Sequence, residues 1–122
     1  MTVDEKVLEA FYKMVSESKQ DIYNSIAADR TNYLSVVMES ISKEHNSSAV
    51  LRTCDCFGIQ NLHTIEKGNK IHEPMRDIAL GAGNWVYLHT HDGENPSVSC
   101  LKELKGKGYK IVATTPHTDI DI

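Results

Sequence analysis

Two short runs rich in β-branched residues, YLSVVME at 33–39 and NLHTIE at 61–66, flank a segment that reads as a helix. This spacing restricts the fold more than any other feature. Strands joined through a helix cannot form a hairpin; they lie side by side in parallel, since such a crossover takes about a dozen residues or more. The intervening SSAVLRTCDCFGIQ, 47–60, has Ser47 or Ser48 available as a helix N-cap and Gly58 as its stop. WVYLHT, 85–90, supplies a third strand, and Asn95 and Pro96 open a helix through Leu101 and Leu104 that Gly106 or Gly108 closes. YKIVATT, 109–115, reads as a fourth strand stopped by Pro116. Strands alternating with helices predict an α/β fold with a mainly parallel sheet and flanking helices.

Two short helices are expected before the sheet. Val7, Leu8, Phe11, Met14 and Val15 recur at helical spacing, and Ser18 with Asp21 marks a second start continued by Ile22, Ile26 and Ala27. Residues 1–30 therefore form a helical extension and 31–122 the main domain. KGNKIHEP is a loop, Asp77 to Leu80 a single helical turn, and GAGN, 81–84, a bend leading into strand three, with Trp85 at the core edge. GAGN lacks the strand-before, helix-after context of a phosphate loop.

Charge excludes some functions. A net charge of −4 and a pI near 5.8 argue against broad adhesion to nucleic acid, though not against a local basic patch. No run approaches the roughly 20 apolar residues of a membrane span. The acids of MTVDEKVLEAF do not fit a secretory leader, so a cytoplasmic protein is expected. Three cysteines cannot pair completely, and CDC is too tight for half of a usual zinc site, which leaves reduced, structural thiols.

Arg52 is the residue that composition does not explain. On a helical wheel Val50, Cys54 and Phe57 form the expected buried stripe, while Arg52 lies about 200° from Val50, on the opposite face. Its neighbours three and four positions away, Ser48, Ala49, Asp55 and Cys56, are small or short, so a ligand can approach the guanidinium closely. Asn46 closes the loop ahead of the helix, and both polar groups are placed to border one cleft at a strand carboxyl end, where parallel α/β sheets gather ligands. The plainer alternative is a solvated arginine paired with Asp55.

HNSSAVLRTCDCFGIQNLHTIE resembles the first motif of the SpoU (TrmH-like) RNA ribose 2'-O-methyltransferases of the SPOUT superfamily, in which Asn and Arg stand six positions apart with Gly six beyond. ALGAGNWVYLHTH and LKGKGYKIVATTPH extend the likeness, so that it covers most of residues 30–117. The resemblance implies transfer of a methyl group from S-adenosylmethionine to a ribose 2'-hydroxyl of tRNA or rRNA, with a tRNA guanosine favoured. It implies catalytic roles for Arg52 and Asn46, a cofactor contact at Thr114 on a strand carboxyl end, and a homodimer for the full-length protein. It also implies two later motifs, glycine-rich and Asn-Ser-containing, which fold into the family's knot and hold most of the cofactor. The chain is therefore expected to be the N-terminal part of a longer methyltransferase and inactive alone. Its alternative is a non-catalytic RNA-binding module. The extension, where Lys6, Lys13, Lys19 and Arg30 are offset by Asp4, Glu5, Glu9, Glu17, Asp21 and Asp29, departs from the basic extension of some members.

LHTHDG, 88–93, carries a rival reading. His89 and His91 project to one side of a strand, as in the opening motif of metal-dependent phosphoesterases. Such a site needs further ligands, and His45, His63, His72 and His117 are scattered singly along the chain. Surface histidines beside an Asp-Gly turn are the plainer reading, and no metal is expected. CDCFG lacks the Cys-x-x-Cys spacing of thioredoxin-like chemistry.

Overall fold

The computed structural model describes residues 1–41, 43–66 and 81–120. Three parallel strands, β1 (Val36–Glu39), β2 (Asn61–Ile65) and β3 (Tyr87–His91), form one sheet in the order β1-β2-β3. Val36 pairs with Leu62 and Leu62 with Leu88, while His63 pairs with His89 and Ile65 with His91. Four helices accompany the sheet among the described residues: α1 (Val3–Tyr12), α2 (Glu17–Ala28), α3 (Glu44–Cys56) and α4 (Pro96–Gly106). The predicted loop 67–74 and the turn at Asp77 to Leu80 lie outside the described residues.

The period of two divides the sheet into faces. Met38 and Leu62, with Val36 and Leu88 at their margin, pack with Leu51 and Cys54 of α3 and with Ile59, Ala82 and Val86. Ile65, flanked by Val37, packs on the other face with Cys100 and Leu104 of α4, joined by Tyr109 and Ile111. Central strand β2 is thus covered on both sides, and Leu62 is fully buried. Parallel sheets require this double cover.

Local chemistry sets most boundaries. Thr2 caps α1 through a capping box with Glu5, Thr2 Oγ1 accepting from the Glu5 N–H at 3.2 Å. The second helix is capped by Ser16 rather than by Ser18. Pro96 occupies the first turn of α4 after Asn95, and Gly108 follows the helix at φ 91°.

Three expectations are corrected. Helix α3 starts at Glu44, not after Ser47 or Ser48, because Lys43 takes the extended N-cap conformation and Asn46 N–H already bonds the Lys43 carbonyl at 3.0 Å. That start places Asn46 inside the first turn, and packing against the sheet makes Ser48, Leu51 and Cys54 the buried stripe. Phe57 is 76% exposed at the C-cap, where the chain is already turning into Gly58, and Val50 is only half-buried. The predicted strand over 109–115 pairs with no strand among the described residues. Tyr109 and Ile111 are half-buried with Lys110 exposed between them, so the alternation of a strand is present while the ladder is not.

That last segment still fixes the topology. The chain runs β1, β2, β3 across the sheet, then crosses the opposite face through α4, after which Tyr109 and Ile111 pack against the same Ile65, Cys100 and Leu104 cluster that Val37 of β1 meets. The Tyr109 hydroxyl donates to the Asn32 carbonyl just before β1. β1 is an edge strand of the described sheet, and its carboxyl end is the kind of place where parallel α/β sheets gather ligands.

Candidate functional site

The carboxyl end of β1 carries Glu39 and Ser40. Ser40 adopts φ 49°, the only positive φ of a non-glycine residue described, and its N–H bonds the Ile65 carbonyl at 2.9 Å. A serine held in the left-handed region stores local strain, which tends to collect beside sites. The Ser97 hydroxyl donates to the Glu39 carboxylate, tying the start of α4 to the end of β1. The start of α3 stands at this same end, with Glu44 in its first turn.

Asn46 and Arg52 are both exposed on α3. Six residues of helix separate them by about 9 Å along the axis and about 120° around it, so they do not share one stripe. Side chains tilt toward the helix N-terminus, which directs Arg52 back toward the Asn46 end. Exposed Ala49 and Cys56 and buried Ser48 leave its flanks low. Asp55, the partner in the plainer alternative, has its carboxylate held by Arg30, whose guanidinium also donates to the Asp55 carbonyl at 3.4 Å.

Thr114 is exposed in the unpaired segment, not at the end of a strand. A cleft of about 490 Å³ lies at the far end of α3, lined by Ile26, Arg30, Asp55, Phe57 and Trp85 among others, and contains none of Asn46, Arg52 or Thr114. Trp85 packs at the core edge as expected, its ring 5.9 Å from that of Tyr23. All three cysteines are free, Cys54 and Cys100 buried and Cys56 exposed.

A polar cluster that sequence reading did not assemble occupies the α4 face. His63 is 3% exposed, and its Nδ1 lies 2.9 Å from His91 Nε2. The His89 ring stacks on His63 at 4.5 Å and is anchored by Asn61 Oδ1 at 2.8 Å from its Nε2. Burial first, then the neighbouring His89 and His91, push His63 down to about 4, so its ring is neutral at pH 7. The signal available in sequence was parity: residues 61, 63 and 65 share one face of β2, and the parallel register sets them beside 89 and 91.

Residues 33–122 match the SpoU rRNA Methylase family. The chain is 35% identical over 103 residues to the tRNA (guanosine(18)-2'-O)-methyltransferase of Borreliella burgdorferi, covering 84% of this chain and 45% of that protein. It is 37% identical over 87 residues to the Escherichia coli K12 protein of the same name, covering 71% of this chain and 36% of that one. The structure superposes on the crystal structure of the A. aeolicus TrmH/SpoU tRNA modifying enzyme with a TM-score of 0.65 at 28% identity, covering 75% of this chain and 45% of the other. The chain spans less than half the length of each of these proteins.

Proposed function

The chain belongs to the SpoU rRNA Methylase family, and from that premise we propose that its protein transfers a methyl group from S-adenosylmethionine to the 2'-hydroxyl of a tRNA guanosine ribose. The observation that carries this reading is an exposed arginine, Arg52, on α3, the helix that follows β1. The substrate class is supported by relatives named as tRNA (guanosine(18)-2'-O)-methyltransferases.

S-adenosylmethionine supplies the electrophilic methyl group, and Thr114 is the residue of this chain proposed to contact it. The remaining steps concern the acceptor. Arg52 meets the RNA backbone and stabilises the negative charge that develops on the ribose oxygen; a guanidinium is a poor proton acceptor. Asn46, an exposed amide one and a half turns earlier, orients the ribose and the guanidinium. The protein acts as a homodimer in the cytoplasm, where reduced thiols persist, and residues 1–30 form a helical extension beside the transferase domain of 31–122.

The test is incorporation of labelled methyl groups from S-adenosylmethionine into unmodified tRNA, followed by mapping of the modified ribose. A 2'-O-methylguanosine supports the reading. Methylation of a base, or none with the protein at its native length, overturns it. Thr114 is tested by calorimetric titration with S-adenosylhomocysteine, in which Thr114→Val weakens binding at least about tenfold.

A further inference from the structure

The donor atoms of His63, His91 and Cys100 all lie within 4.8 Å of one another, and they come from three different elements: β2, β3 and α4. We propose that these three side chains form a zinc-class metal site that clips α4 to the sheet.

The donor set selects the ion. Two imidazoles and a thiolate suit zinc and its neighbours and not magnesium or calcium, which take oxygen. Bond lengths of about 2.0–2.1 Å to nitrogen and 2.3 Å to sulfur put tetrahedral ligands about 3.3–3.8 Å apart. A separation of at most 4.8 Å therefore closes with side-chain movements of about an ångström. The backbone under two of the ligands is fixed: His63 and His91 are diagonal neighbours across the β2–β3 ladder, through the pairs His63 with His89 and Ile65 with His91. Cys100, fully buried, descends onto them from the middle of α4.

The surroundings fit a ligand shell. His63 is 3% exposed, which shields its ring from bulk solvent. The stacked ring of His89, held by Asn61, sets its orientation in the manner of an outer-shell partner. Binding exchanges the His63–His91 hydrogen bond for two metal bonds and releases the Cys100 thiol proton to solvent. Glu103, one turn beyond Cys100, is ion-paired with Lys107 at 2.6 Å, so the bound ion keeps a net positive charge that only the thiolate reduces. His91 is half-buried, which leaves an approach for the ion and for a fourth ligand, water. The site lies on the face opposite α3 and Arg52, so it is independent of the methyl-transfer reading.

The alternative is two histidines packed for their mutual hydrogen bond beside an inert core thiol. To separate the two, the protein at its native length is stripped with a chelator and titrated with Co²⁺. The site gives a thiolate-to-cobalt charge-transfer band in the near ultraviolet that saturates at one ion per chain and is bleached by Zn²⁺. Cys100→Ser removes the band, His91→Asn weakens binding at least about tenfold, and Cys56→Ser changes neither. Because Cys100 is buried, a second measurement avoids the variants: Zn²⁺ blocks alkylation of Cys100 in the unmodified protein, read by mass spectrometry, and raises the thermal midpoint by roughly 5 °C or more. No band at saturating Co²⁺, a band that survives Cys100→Ser, or alkylation of Cys100 at the same rate with and without Zn²⁺ overturns the proposal.

Discussion

Gly58 turns at φ +71° directly against the carbonyl of Asp29, and a Cβ at this position would overlap that oxygen. The turn is locked from both sides: Gly58 N–H bonds the Asp55 carbonyl at 3.1 Å, and its own carbonyl accepts from Thr31 N–H at 2.8 Å. It thereby joins the end of α2, the end of α3 and the bridge between Thr31 and Ile59. Gly58→Ala meets backbone that cannot swing aside and a conformation alanine resists. A loss of about 2–4 kcal/mol is expected in urea-induced unfolding. A loss below about 1 kcal/mol would mean that the two helix ends separate at little cost.

The pair just above this turn joins the same elements by charge. Arg30 and Asp55 side chains are only 10% and 28% exposed, and the guanidinium also donates to the Asp55 carbonyl at the C-terminal end of α3, where a cation is favoured. Arg30→Met leaves a carboxylate half-covered with no guanidinium and is expected to cost about 2–3 kcal/mol. Asp55→Asn keeps an acceptor and costs about 1 kcal/mol less. Equal losses in chemical denaturation would mean that packing of the arginine stem, not the ion pair, stabilises this junction.

The thiols of one helix should separate cleanly. Burial pushes the Cys54 thiol upward, so less of it is thiolate at any pH, and the residue is 1% exposed. Cys56, two residues on, is exposed. Native-state alkylation is expected to modify Cys56 at least about a hundredfold faster, with Cys54 reacting only through opening of the core. Raising the pH accelerates both without reversing their order. Comparable rates would show that α3 opens locally.

What was legible in the sequence was local. The strand, helix, strand order of 33–66, Gly58 as a stop and Pro96 as a start each follow from a few adjacent residues, and the structure has all of them. The errors came from contacts with distant chain. The expected stripe of Val50, Cys54 and Phe57 was centred off the true one, because the core meets the face of Ser48, Leu51 and Cys54. Period-two alternation at 109–115 announced a strand, but pairing depends on an edge that local pattern does not encode. His63 looked solitary because its hydrogen-bond partner is 28 residues away and reaches it only through the parallel register. For the site, the face of Arg52 was readable from helical period alone, whereas placing Asn46 required the true start of α3.

The role proposed for Arg52 is tested by separating charge from shape. The residue is exposed, so Arg52→Ala should change unfolding free energy by no more than about 1 kcal/mol. If its guanidinium stabilises charge in the transition state, kcat falls about 10²–10³-fold with KM nearly unchanged, because the interaction strengthens only as the ribose oxygen becomes anionic. Arg52→Lys keeps the positive charge and loses the planar fork, so a small part of the rate returns. Asn46→Ala acts through orientation and lowers kcat by a smaller factor, and in the double variant the losses combine less than additively because both groups serve one substrate oxygen. A rise in KM alone, with kcat preserved in Arg52→Ala, would reduce the arginine to a backbone-phosphate contact. Full activity in Arg52→Ala would remove α3 from the acceptor site and direct attention to Glu39 and Ser97, the other polar pair at the carboxyl end of β1.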